Sequence, residues 1–92
     1  MRDYEVTCIF SVEEGGVEQG RTAVKAELEK ADAVIQKEDD MGNRELAYTI
    51  KKQTRGHYFC FHSQIDPQKL NEIDQELKLS ESVLKFLVVK KA

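Results

Sequence analysis

The 92-residue chain has 34% charged and 40% hydrophobic residues, which is typical of a soluble globular domain and not of a disordered segment. Its net charge of −3 argues against a strongly basic nucleic-acid binder, and no apolar run approaches the roughly 20 residues that span a bilayer. Charges interrupt the apolar residues at the start, so we expect no signal peptide, no membrane partner and a cytosolic protein. The length predicts one domain, residues 1–92.

The first part of the chain predicts a strand followed by a helix. Apolar and polar residues alternate from Tyr4 to Phe10, which is the period of a half-buried strand. After the break at Gly15-Gly16, apolar residues recur at helical spacing from about Val17 to Ala31 and form one narrow stripe. The other face of this helix is almost entirely charged, which indicates a solvated surface.

A long hairpin is predicted in the middle of the chain. A second strand starts at Ala33, bends or bulges at Gly42 and resumes at Arg44. Aromatic residues favour a third strand from His57 to about Ile65. The polar segment Lys51–Gly56 between the two strands predicts a cationic turn that points into solvent, and this turn is the first candidate for a functional surface.

The last third of the chain predicts a second helix and a final strand. Asp66-Pro67 is typical of a helix start, with Asp as the N-cap and Pro at the first helical position. The segment Val83–Val89 is apolar at almost every position, as in a strand buried on both faces. The order β-α-β-β-α-β predicts an α+β, ferredoxin-like split βαβ sandwich. In this fold a four-stranded antiparallel sheet has both helices on one face and strands one and three in its centre.

The face of the predicted sheet turned away from the helices, here called the open face, has a second and partly apolar set of side chains. Its predicted members are Ile9, Tyr58, Cys60, His62, Leu87 and Val89. Exposed patches of this kind usually mark a partner surface, so we predict that a protein binds here. The alternatives are ordinary scattered apolar exposure and a dimer of the chain with itself.

Neither a metal site nor a catalytic site is indicated. Side chains that follow one another along a strand point to opposite faces, so Glu38-Asp39-Asp40 cannot converge on one cation and predicts a solvated sheet edge. His57 and His62 differ in strand parity for the same reason. Cys8 and Cys60 lack a CxxC spacing and are expected to be buried thiols. We therefore predict no enzyme, no cofactor, no metal and no small-molecule substrate.

The segment GNRELAYTIKKQTRGHY, residues 42–58, resembles the signature of the bacterial small-subunit ribosomal protein six family. The shared features are a glycine, an arginine, the LAY triplet, an isoleucine and a lysine. The opening MRDYE and the closing VLKFLVVK are similar to the first and last strands of that family, so the resemblance covers nearly the whole chain. It implies a ferredoxin-like fold, no enzymatic activity and a place on the ribosome. It also implies binding to the central domain of the small-subunit rRNA as a heterodimer with ribosomal protein eighteen.

Positive charge is concentrated at the hairpin and at the C-terminus. Together with the resemblance, this distribution predicts contacts to the RNA backbone, which position the protein and do not read bases. The predicted RNA-binding residues are Arg2, Arg44, Lys51, Lys52, Arg55, His57, Lys90 and Lys91. A basic partner would explain how a chain with nine acidic and four basic residues between positions 12 and 40 joins an RNA particle. Because one fold serves many functions, a free-standing ligand-binding or protein-interaction module and a small hydrolase remain alternatives.

Overall fold

The computed structural model describes residues 1–91 and has the predicted order of elements. The strands are β1 (Arg2–Ser11), β2 (Val34–Ile50), β3 (Gln53–Ile65) and β4 (Val83–Lys90), and the helices are α1 (Gly16–Lys30) and α2 (Leu70–Leu77). They form one antiparallel sheet in the order β2-β3-β1-β4, so β1 and β3 are central as predicted. The ferredoxin-like α+β fold is thereby confirmed.

The hydrophobic core lies between the sheet and the two helices. Alternation along β1 and β3 turns every second side chain toward α1 and α2, as the sequence predicts. The most deeply buried members of this core are Val6, Cys8, Phe10, Val24, Leu28, Phe59, Phe61, Ile65, Ile73 and Leu77. Burial of each large side chain contributes about 1.5–3 kcal/mol. A one-residue slip would turn this set outward, so the core fixes the register of the central strands.

The second helix begins as the sequence predicts, but its first turn is tighter than an α-helical turn. Asp66 accepts a hydrogen bond from the backbone N–H of Gln68 at 3.0 Å, which satisfies one of the free donors of the helix start. Pro67–Lys69 then form a 3₁₀ turn that leads into α2. The short α2 is attached to the sheet by the buried side chains of Ile73 and Leu77.

The second strand is long and irregular, because its pairing with β3 shifts at three places. One shift lies between Asp40 and Gly42, which confirms the bulge predicted at Gly42. Gly42 has φ +82°, a left-handed conformation that glycine adopts without steric cost, and its N–H donates to Oδ1 of Asp40 at 3.0 Å. Such shifts bend a strand locally and increase its twist.

The turn between β2 and β3 is shorter than the sequence suggests. Gln53 already pairs with Ile50, so the turn is Lys51-Lys52 alone and the rest of the polar segment belongs to β3. Both lysines have positive φ, 48° and 66°, as in the two-residue turns whose twist matches a hairpin. For a residue with a Cβ this conformation costs about 1–2 kcal/mol. The contacts of the turn with the rest of the fold therefore have to offset that strain.

Candidate nucleic-acid and protein interface

The turn and the strand segments beside it, residues 44–56, are here called the hairpin arm. The arm does not project freely into solvent, because the ammonium of Lys51 contacts the start of β4. Its Nζ donates to the carbonyl oxygens of Ser80 at 3.1 Å and Val83 at 3.0 Å. Lys51 therefore holds its charge at the end of the sheet, with two of its three N–H donors already used.

Two further polar contacts attach the hairpin arm to the sheet. The hydroxyl of Ser11 donates to Oε1 of Gln53 at 2.9 Å. Lys85 Nζ donates to the Tyr48 hydroxyl at 3.1 Å and lies 5.7 Å from the centre of its ring. Because β2 and β4 are opposite edges of the sheet, Tyr48 can reach Lys85 only if the arm crosses the open face over β3 and β1.

The predicted RNA-binding cations fall into two groups at opposite ends of the sheet. Lys90 pairs with Tyr4 at the start of β1, where Arg2 also lies, and the backbone N–H of Lys91 donates to the Asp3 carbonyl at 3.0 Å. The arm cations lie at the other end, where β1 finishes. The ten residues of β1 separate the groups by about 30 Å, several times the screening length of about 8–10 Å. The two groups therefore act independently.

Arg44 and His57 are predicted RNA contacts that already have partners within the sheet. The guanidinium of Arg44 lies 5.5 Å from the centre of the Tyr58 ring, which is a cation–π geometry. A predicted RNA contact, Arg44, and a predicted partner residue, Tyr58, are therefore neighbours on one surface. The ring nitrogens of His57 lie 2.5 Å from Oδ1 of Asn43 and 2.5 Å from Oδ1 of Asp40. The side chain of His57 is only 14% exposed, whereas residues such as Arg44 and Lys52 are exposed.

All six predicted partner residues lie on the open face, in adjacent rows that run across β3, β1 and β4. The antiparallel register sets the rows as His62, Glu5 and Val89, then Cys60, Thr7 and Leu87, then Tyr58, Ile9 and Lys85. The predicted partner set did not include the polar members of this surface, Glu5, Thr7 and Lys85, although alternation along β1 already predicts Glu5 and Thr7 on the face of Ile9. Strict alternation along β1 and β4 was the signal that could have found them.

The exposed apolar part of the open face is narrower than predicted. Leu87 and Val89 are 50% and 47% exposed, whereas Ile9 and Cys60 are only 6% and 8% exposed. Ile9 is covered because Gly56 lets the chain approach it, and a Cβ at Gly56 would collide with its side chain. A partner would therefore find its apolar contacts mainly on β4.

A histidine flanked by two carboxylates lies beside this apolar strip. His62 Nε2 lies 2.8 Å from Oδ2 of Asp39 on β2, and its Nδ1 lies 3.9 Å from Oε1 of Glu5 on β1. The hydrogen bond with His62 is the main reason why the pKa of Asp39 is lowered from its usual value. Burial raises the pKa of the neighbouring Cys60 thiol, so that group stays protonated and is a poor nucleophile.

The acidic run on β2 has the predicted alternation but is more than a solvated edge. Glu38 pairs with Lys25 of α1 at 3.0 Å, Asp39 with His62 on the open face, and Asp40 with His57 on the helix side. The backbone N–H of Gly42 and the ring of His57 together lower the pKa of Asp40. Within residues 1–91, no group of three His, Cys, Asp or Glu side chains could hold a metal ion.

A groove lies between the two helices. This groove, of about 300 Å³, is lined by Glu27, Lys30, Ala31, Lys69, Glu72, Ile73 and Glu76. Its lining has carboxylates and lysines but no hydroxyl, thiol or imidazole side chain. Across residues 1–91, no helix is both long and apolar enough to cross a bilayer.

The fold defines a small ferredoxin-like α+β module. The sequence model of the family described as Ribosomal protein S6 matches residues 3–90, and the chain belongs to this family. It is 48% identical over 90 residues to small ribosomal subunit protein bS6 of Treponema pallidum (strain Nichols), covering 98% of this chain and 97% of the relative. The bS6 proteins of Treponema denticola and Leptospira biflexa (strain Patoc 1 / Ames) are 39% and 36% identical over the same length.

Solved structures agree with the family assignment. The crystal structure of 30S ribosomal protein S6 from Thermotoga maritima superposes with a TM-score of 0.85 at 27% identity, covering 98% of this chain and 87% of that one. The C-terminal domain of the MgtC protein from Mycobacterium tuberculosis, at 13% identity and a TM-score of 0.67, shares the fold alone. The chain is therefore a structural, non-enzymatic component of the small ribosomal subunit in the cytoplasm. The family predicted from residues 42–58 is confirmed.

Proposed function

We propose that the chain binds the central domain of the small-subunit rRNA together with ribosomal protein eighteen, and that this heterodimer is the RNA-binding unit. The observation that supports the proposal most is the separation of two surfaces. On the open face the carboxylates of Glu5 and Asp39 lie beside the apolar residues of β3 and β4, which suits a basic protein. Four exposed cations of the hairpin arm, Arg44, Lys51, Lys52 and Arg55, lie at one end of this face, and Lys52 and Arg55 are the members proposed to contact RNA.

The proposed RNA contacts are electrostatic. Lys52 and Arg55 are exposed, so phosphates can approach them without first displacing a protein partner. Arg2, Lys90 and Lys91 form the second group, about 30 Å away along β1, and would contact a different part of a folded RNA. In this proposal His57 contributes less, because its ring is enclosed between Asn43 and Asp40.

The RNA contact is tested by binding to a central-domain rRNA fragment, with and without ribosomal protein eighteen, across a salt series. We expect tight binding only with the partner present. The double variant Lys52→Gln/Arg55→Gln should bind more weakly, and the slope of log K against log salt should fall by roughly 0.7–0.9 for each lost phosphate contact. The matched control Lys30→Gln/Lys78→Gln removes the same charge at the ends of α1 and α2 and should keep the wild-type slope. An unchanged slope in the arm variant would contradict the RNA role of these residues.

The partner surface is tested separately by placing charge on its exposed apolar strip. Leu87→Glu and Val89→Glu should abolish heterodimer formation, because each buries an unpaired carboxylate in the interface. Both side chains are half-exposed in the free chain, so its free energy of unfolding should change little. Leu79→Glu, at a leucine 78% exposed outside the open face, is the matched control and should leave the heterodimer intact. Normal heterodimer formation by the first two variants would exclude β4 from the interface.

A further inference from the structure

We propose that Lys51 is a positioning residue, whose ammonium fastens the hairpin arm to the start of β4 and thereby fixes where Lys52 and Arg55 are presented. The effect of Lys51 on RNA binding rests on the function proposed above, whereas the fastening itself is a property of the free chain. The inference starts from the two carbonyl contacts of Lys51 and does not depend on its charge alone.

The carbonyl groups that accept from Lys51 belong to a segment that is itself held by backbone hydrogen bonds. Ser80 closes the end of α2 through a hydrogen bond from its N–H to the Leu77 carbonyl at 3.1 Å, and Val83 is the first residue of β4. The N–H of Ser11, the last residue of β1, donates to the Ser82 carbonyl at 2.8 Å. Lys51 therefore connects a hairpin turn to a junction of β1, α2 and β4.

The contacts on either side of Lys51 point to the same docking. Gln53 reaches the hydroxyl of Ser11, and Tyr48 reaches the ammonium of Lys85. These three contacts come from the last residues of β2, the turn and the first residue of β3, and all end on β1 or near the start of β4. The arm is thus attached along its length, with the strained turn held at its end by Lys51.

The two turn lysines consequently have different roles. The Lys51 ammonium donates to two carbonyls at 3.0 and 3.1 Å, so a phosphate would have to replace bonds that already exist. Lys52 is exposed. A docked arm presents its cations in one arrangement, so RNA binding does not have to immobilise the arm as well.

The fastening is tested first on the free chain, by hydrogen exchange of the arm amides. Lys51→Met keeps a side chain of similar length without the ammonium, and it should speed exchange at the paired residues Ile50 and Gln53 by roughly tenfold or more. Exchange at core positions such as Val6 and Phe61 should stay unchanged, which shows that the variant folds. Lys51→Arg should restore slow exchange, and Lys52→Met should leave the arm as in the wild type. Unchanged arm exchange in Lys51→Met would overturn the proposal.

The positioning role is tested by RNA binding of the same variants together with ribosomal protein eighteen, across salt. Lys51→Met should lower affinity while keeping the wild-type salt slope, because no phosphate contact is lost. Lys52→Met should lower the slope by roughly 0.7–0.9. If Lys51→Met lowers the slope as Lys52→Met does, Lys51 contacts phosphate and the positioning role is wrong. If the wild type binds no RNA, the proposed function fails, and hydrogen exchange alone decides whether Lys51 fastens the arm.

Discussion

At the scale of single residues, cross-strand pairs on the sheet decide what the titratable side chains do. Asp39 and Asp40 are neighbours in the chain, yet each contacts a different histidine on a different face of the sheet. Alternation along β2 predicted the opposite faces, because the face that a strand residue occupies depends only on its position in the strand. It could not predict the partners, because His62 lies 23 residues after Asp39 and only the register brings the two together.

The two carboxylates give a prediction for pH titration. The first cause of the low pKa of Asp39 is the hydrogen bond with His62, so His62→Phe should raise that pKa toward the ordinary 3.8. For Asp40 the first cause is the N–H of Gly42, so His57→Phe should leave much of its lowering in place. The carboxyl carbon resonances of both side chains, followed by NMR between pH 2 and 6, measure the two values.

The lowered pKa of Asp39 also predicts how the free energy of unfolding depends on pH. A carboxyl group whose pKa is lower in the folded chain stabilises the fold above its unfolded pKa, and this contribution is lost as pH falls through the folded value. The wild type should therefore lose stability on acidification below about pH 4 more steeply than His62→Phe does. Equal acid sensitivity of the two proteins, with Asp39 titrating at its wild-type pKa in the variant, would show that His62 does not control this carboxylate.

At the scale of elements, the sequence was informative where the core determines the structure and less so where the backbone is strained. Both helices and all four strands were predicted, because each has a buried apolar stripe or face that fixes its period. The turn was predicted too long, because two lysines at positive φ are uncommon in a two-residue hairpin turn. Their conformation follows from tertiary contacts such as those of Lys51, which composition does not reveal.

Helix α1 offers a test of how closely elements are packed. Ala is a better helix former than Gly, so Gly→Ala within a helix ordinarily stabilises by about 0.5–1 kcal/mol. At Gly20 the added Cβ would lie 2.5 Å from a ring carbon of Phe10, which is itself fully buried. We therefore expect Gly20→Ala to lower the free energy of unfolding by roughly 1–3 kcal/mol, measured by urea denaturation.

An exposed position on the same helix provides the control for Gly20. Thr22→Ala changes helix propensity without a core contact and should be neutral or slightly stabilising. If Gly20→Ala proved stabilising, α1 would have room to move away from Phe10. The close approach of helix and sheet would then not be needed for the stability of the fold.

At the scale of the whole molecule, the sheet separates a core face from a binding face. The predicted partner residues were placed correctly on the open face, because sheet parity and strand order together suffice for that. The distance of about 30 Å between the two groups of cations was not predicted, because it requires the register between strands. The reach of the hairpin arm across the open face was also missed, since it depends on the shifts of β2.

The two cysteines lie on different faces of the sheet, so their alkylation rates test where a partner binds. Cys8 lies in the core with no exposed surface, and Cys60 lies on the open face at 8% exposure. Burial raises the pKa of both thiols, so both react slowly, and Cys8 should react only when the chain unfolds. If ribosomal protein eighteen covers the open face, alkylation of Cys60 should slow by roughly tenfold or more in the heterodimer.

Mass spectrometry of the alkylated peptides measures both cysteines in one sample, so Cys8 is the internal control. Its rate should change only as far as the partner stabilises the whole fold, whereas the rate at Cys60 also reflects direct cover. Protection of Cys60 beyond that of Cys8 places the partner on the open face. Equal alkylation rates at Cys60 in the free chain and in a heterodimer shown to be intact would place the interface on another surface. The adjacency of the six predicted partner residues on the open face would then not mark a binding site.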